Sequence, residues 1–204
     1  CTVMFADLTD FTRLAEDLPP HEMVAMLNEV FSWFDSLVDK HGLEKIKTIG
    51  DAYMVAGGLL GSEPKYTEAI VNMALEMLHE VGARKTPSGE PLGMHIGIGS
   101  GPVVAGVIGV KKFIYDLWGN TVNVASRLST EATSGGILVD TATYRRLRGL
   151  YQFEGPESLT VKGKRLITVY RWHGIISGPR IEWRGADADA DALAALHTRS
   201  AERL

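Results

Sequence analysis

Gly50-Asp51 separates two strand-forming runs, Leu43–Ile49 and Ala52–Ala56, by two residues. Glycine at the first central position marks a type II′ hairpin, because that position needs φ > 0. A hairpin here restricts what can surround it. Upstream lies a short apolar strand over residues 2–7, ending at Asp7. After the break at Pro19-Pro20, a long amphipathic helix runs to about His41, with Met23, Leu27, Val30, Phe34, Leu37 and Val38 at helical spacing. Gly42 is a helix terminator. Downstream, Pro64 to about Val81 carries Ile70, Ala74, Met77, Leu78 and Val81 on one helical face, and Leu92–Gly99 is a further strand. The order strand, helix, strand, strand, helix, strand is the split βαβ, ferredoxin-like plan.

The predicted fold class is therefore α+β. It has a palm-type core, an antiparallel-rich sheet with helices packed on it, and a small C-terminal α/β subregion. Val103–Ile108 and Lys112–Leu117 read as strands, and Asn120 caps a helix running to about Glu131. Ile137–Val139, Leu159–Val161 and Leu166–Trp172 read as short strands, and Thr141–Leu147 as a short helix. One domain over residues 1–173 is expected, followed by a tail over 174–204 that is flexible or short-helical, because Ala186–Ala195 is mostly Ala and Asp.

Bulk properties exclude some functions. A net charge of -4 with no basic stripe argues against a general nucleic-acid binder. The single cysteine, Cys1, permits no internal disulfide and fits a reducing compartment. No apolar run is long enough to span a bilayer. The chain opens on Cys inside a strand, so it reads as a fragment of a longer protein.

Asp7 and Asp51 stand where strands run out. Either alone is as readily a helix cap or a turn former. Together, on a fold that sets the first strand beside the hairpin, they suit a pair of hard cations over a phosphate chain. The loop Leu8–Thr12, with Thr9 or Asp10 as N-cap, offers backbone N–H groups at a helix N-terminus; Phe11 and Thr12 are its candidate phosphate contacts. Asn123 and Arg127 are four apart and share a helix face. An Arg beside an amide suits a phosphoryl group gaining charge in a transition state, or is a solvated surface pair. Lys162 lies in a turn, where it is either solvated or adds charge at the end of a triphosphate.

Four segments carry a family resemblance: Met4–Thr12, Glu44–Met54, Gly101–Gly109 and Tyr115–Arg127. They resemble the catalytic domain of class III nucleotide cyclases, in particular adenylate cyclases of the mammalian membrane type and their mycobacterial relatives. The resemblance covers about Thr2 to Trp172. It implies that Asp7 and Asp51 bind two Mg²⁺ or Mn²⁺ ions. It implies that Lys45 and Asp116 select adenine, donor and acceptor against the purine edge. Asn123 would orient the ribose, Arg127 would stabilise the transition state at the α-phosphorus, and Lys162 would contact the terminal phosphates. The substrate would be ATP, and the site would form between two copies packed head to tail, each supplying half. A cytoplasmic placement, anchored to a membrane through an upstream region, is the corresponding expectation. His95 departs from the family, which usually has Arg there against phosphate. The rival readings are a guanylate cyclase, a silent regulatory partner domain and an RNA-binding module of the same plan. The last lacks its aromatic strand signature.

Overall fold

The computed structural model describes residues 1–9, 11–59, 65–86, 89, 91–109, 111, 113–161 and 165–175. Asp10, Lys162 and the expected tail from residue 176 lie outside the described residues. The strands are β1 (Thr2–Leu8), β2 (Glu44–Ile49), β3 (Ala52–Gly57), β4 (Met94–Ser100), β5 (Val104–Ile108), β6 (Ile114–Trp118), β7 (Ile137–Asp140), β8 (Tyr151–Val161) and β9 (Arg165–Ile175). The helices are α1 (Phe11–Asp17), α2 (Pro20–His41), α3 (Tyr66–Ala83), α4 (Asn120–Glu131) and α5 (Thr141–Leu147).

Seven strands form one sheet in the order β2-β3-β1-β4-β7-β9-β8. Its first four strands, with α2 and α3 as crossovers, are the expected split βαβ core. The C-terminal strands extend that same sheet: β7 pairs with β4 in parallel, and β9 returns antiparallel to β7. β5 and β6 form a separate hairpin.

Side-chain alternation divides the core into layers. On one face Met4, Ala6 and Leu8 of β1, Tyr53 and Val55 of β3, and Met94, Ile96 and Ile98 of β4 pack against α2 and α3. Full burial of each of the Met, Leu, Val and Ile side chains among these is worth about 1.5–3 kcal/mol. On the other face Val3, Phe5, Met54 and Ala56 meet Leu117 of β6 and Ala125 of α4. Farther along, Leu138 and Val169 meet Val124 and Leu128 of α4.

A glycine sets how closely α4 approaches. A Cβ on Gly97 of β4 would stand 2.1 Å from the backbone nitrogen of Ser129 and 2.2 Å from the carbonyl oxygen of Ala125. Only a bare backbone admits the helix there.

Three local expectations differ from the structure. Asn120 is the first helical residue of α4 rather than its cap; Gly119 holds the N-cap position with no side-chain bond. Thr9 gives its hydroxyl to Ser134 at 3.1 Å. β8 begins at Tyr151, well before Leu159. Gly155-Pro156 disguises the strand in the sequence, and the ladder shifts register between Glu154 and Glu157. Proline is tolerated because β8 is the edge strand and the missing N–H interrupts no inner ladder.

Candidate active site

Asp7 lies near the end of β1, paired in register with Ala52 of β3 and His95 of β4. Ile49 pairs with Ala52, so Gly50 and Asp51 form a two-residue turn, and Gly50 has φ 64° as the hairpin requires. The fold thus brings the two aspartates together, as expected. Burial pushes the Asp7 carboxyl above the ordinary carboxylate range, and the charge of Asp51 pushes it further. His95 and a hydrogen bond from Ser129 pull the other way. The Ser129 hydroxyl stands 3.4 Å from Asp7 Oδ2 and 2.9 Å from the Ser126 carbonyl oxygen. His95 Nδ1 is buried without a hydrogen-bond partner among the described residues.

Two crowded carboxylates fit a divalent cation, since both are hard oxygen donors whose mutual repulsion a cation would relieve. Among the described residues no group of three or more His, Cys, Asp or Glu side chains could hold a metal ion. Two aspartates alone would supply only part of a coordination sphere, as Mg²⁺ sites that keep several waters commonly do.

The other candidate residues, Asn123 and Arg127, lie on α4. Ala125, Leu128 and Ser129 are buried against the sheet, whereas Asn123 is exposed. At 3.6 residues per turn, Arg127 stands about 40° round the helix from Asn123, and Ser129 about 160° from Arg127. Ser129 touches Asp7, so Asn123 and Arg127 face away from the aspartates of their own chain. Arg127 Nη2 pairs with Glu131 Oε1 at 2.5 Å, and its Nε is buried without a partner.

The structure does not bring together the two residues expected to select adenine. Lys45 does not meet Asp116. Its Nζ binds both oxygens of Asp35 on α2, at 2.6 and 2.8 Å, and lies over the Tyr53 ring. Lys47 forms the ion pair with Asp116. A β-bulge between the lysines is the cause. Lys45 is opposite Val55, which belongs to the α2–α3 face; Lys47 is opposite Met54, which belongs to the α4 face. Strict alternation would put residues two apart on one face; one inserted residue sends them to opposite faces. Asp116 is fixed further by accepting a 2.8 Å bond from the Leu117 amide.

Phe11 opens α1 and packs against the α2–α3 core. Thr12 is the next residue of that helix. Sequence reasoning overlooked Lys47, Ser129 and Glu131. The spacing of Arg127 and Glu131, four apart on a helix, was the available signal for the last.

Residues 1–174 match the family model of the adenylate and guanylate cyclase catalytic domain. The chain belongs to this family. Adenylate cyclase of Mycobacterium tuberculosis is 41% identical over 169 residues, covering 83% of this chain and 38% of that protein. Guanylate cyclase soluble subunit beta-2 of Rattus norvegicus is 36% identical over 172 residues, covering 83% of this chain and 25% of that protein. The guanylate cyclase domain of RhGC from Catenaria anguillulae, solved in complex with GTP, superposes with a TM-score of 0.80 at 33% identity, covering 85% of this chain and 96% of that one. The chain thus spans less than two-fifths of these curated relatives. Cyclase domains of this class use divalent metal ions, in keeping with the aspartate pair. Among the described residues, no helix of this cyclase domain is long and apolar enough to cross a membrane.

Proposed function

We propose that this domain is an adenylate cyclase, converting ATP to 3′,5′-cyclic AMP and pyrophosphate at sites shared between two copies packed head to tail. The observation that carries the choice of base is the Lys47–Asp116 pair. A lysine donor and an aspartate acceptor match the ring nitrogen and exocyclic amine of adenine. Guanine presents the reverse pattern. The mycobacterial adenylate cyclase at 41% identity supports the same reading.

The shared site rests on α4. Asn123 and Arg127 point away from the aspartates of their own chain, so a second copy must bring its aspartates to them. Exposed apolar side chains of the β5–β6 hairpin and the residue before β6, Val104, Val107, Ile108, Phe113 and Ile114, favour burial against a partner.

Two Mg²⁺ or Mn²⁺ ions held by Asp7 and Asp51 would supply Lewis-acid activation of the ribose 3′-hydroxyl and neutralise the triphosphate. Asn123 of the other copy orients the ribose. Arg127 faces the α-phosphorus, where charge accumulates as the 3′-oxygen bonds to it and the bond to pyrophosphate breaks. The hydroxyl proton leaves to solvent or to a phosphate oxygen. Lys162, with the backbone N–H groups of Phe11 and Thr12, contacts the outer phosphates. A guanylate cyclase is the second reading, favoured by the likeness to the GTP-bound domain.

The test is turnover of ATP and of GTP with Mn²⁺ and with Mg²⁺, across a wide range of protein concentration. ATP preference with specific activity rising with concentration is expected. GTP preference, or activity independent of concentration down to dilute protein, would overturn the reading.

A further inference from the structure

We propose that Glu131 is a positioning residue that holds the Arg127 guanidinium along the α4 ridge until nucleotide displaces it. This rests on the reading of Arg127 as a phosphate ligand given above. Asn123, Arg127 and Glu131 follow one another at intervals of four, so they form a single ridge on the outer side of α4. The carboxylate of Glu131 lies 2.5 Å from Arg127 Nη2. It is the sole ion-pair partner of Arg127 among the described residues.

The pair leaves the guanidinium incompletely satisfied. Arg carries five N–H donors in a fixed fork. Glu131 meets it through one terminal nitrogen, and Nε is buried with no acceptor. A phosphate can take two donors of the fork at once, which a single contact from Glu131 does not match. Glu131 therefore occupies the place of a phosphate oxygen while the site is empty, and loses it when a better-matched anion arrives.

The same carboxylate opposes that anion. A triphosphate approaching Arg127 must break the pair and come to rest near a negative charge on the next turn. An i,i+4 pair of this exposure contributes only a few tenths of a kcal/mol, about a twofold effect, so the tether yields readily. Removing the repulsion adds to this. Replacing Glu131 by Gln keeps size and helix propensity while deleting the charge.

The experiment measures steady-state kinetics for ATP in the wild-type chain and in E131Q, E131D and R127A. Calorimetric binding of 3′-deoxy-ATP, which has no 3′-hydroxyl and cannot cyclise, accompanies it. E131Q should lower KM about threefold without lowering kcat and bind the analogue about threefold more tightly. E131D, which retains the charge, should stay near wild type. An unchanged or higher KM in E131Q, with activity still lost in R127A, overturns the inference and leaves the cyclase reading standing. Full activity in R127A overturns both roles at once. A fall in melting temperature in E131Q with unchanged KM would make Glu131 merely structural and would also overturn it.

Discussion

Lys47 and Asp116 form an ion pair across the space between β2 and β6, while Lys45, two residues earlier, binds Asp35 on the opposite side of the sheet. The two lysines should therefore have separable effects. Lys47→Ala should lower kcat/KM for ATP by about ten- to a hundredfold, as expected for losing a hydrogen bond from a charged donor. Lys47→Glu should raise the ratio of GTP to ATP turnover. Lys45→Ala should leave that ratio unchanged and cost at most about 1 kcal/mol of stability, because its pair is partly solvated. Nucleotide competition assays and thermal melts check both arms.

Asp7 predicts a conflict between folding and function. Its carboxyl titrates above the value it has in the unfolded chain, so at neutral pH its ionised form disfavours the folded state. That cost is present above the folded value and disappears as pH falls below the unfolded one. Without metal, Asp7→Asn should melt a few degrees higher than wild type at pH 7, with the gap closing in acid. The same variant should lose Mn²⁺ binding and turnover. A lower melting point at pH 7 would contradict the account.

Gly97 and Gly50 predict unequal costs for the same change. Gly97→Ala drives a Cβ to 2.1 Å from the backbone of α4, so α4 must shift or the core must open. A loss of about 3 kcal/mol or more is expected, with Asp7 disturbed through Ser129. Gly50→Ala meets nothing within 4 Å but keeps φ 64°, so a cost of about 1–2 kcal/mol is expected. Urea unfolding of the two variants decides the order.

Glu76 gives the fold an acid limit. Burial pushes its carboxyl up, but hydrogen bonds and charge from His41 and Lys40 outweigh this, bringing it from 4.5 down to about 2. Its stabilisation is complete above the unfolded value and is lost as pH falls through that window. Melting temperature should drop steeply between pH 4.5 and 2 in wild type. Glu76→Gln should start lower at neutral pH and decline less over the same range.

Mixing variants tests the shared site. Asp7→Ala and Arg127→Ala should each be nearly inactive alone. Mixed in equal amounts and allowed to exchange, half the dimers are hybrids with one intact site of two. Activity should return to about one quarter of wild type. No recovery under exchanging conditions would place all the machinery within one chain.

The sequence carried the layered core because its signals are periodic. Buried positions of α2 and α3 recur at helical spacing, and β1 reads as a short unbroken apolar run. Asp7 and Asp51 were legible because strand ends and a two-residue turn are local features. The exchange of Lys45 for Lys47 was not. It depends on a bulge at Ile46, and period-2 reading gives both lysines the same face. β8 was hidden by Gly155-Pro156, whose local preference is overridden by pairing along β9. The inner contact of Ser129 depends on how closely α4 lies on Gly97, a tertiary distance with no sequence period.

That close contact has a consequence for an assembled pair. The inner face of α4 supports Asp7 of its own chain, while in the proposed head-to-tail pair its outer face would offer Asn123 and Arg127 to the other copy. A helix used from both sides is a wall common to two rooms. In a head-to-tail pair, a tilt of this helix would therefore be felt at both sites. In that pair a substitution on the inner face would act at the aspartates of its own chain, and one on the outer face would act at the site across the interface.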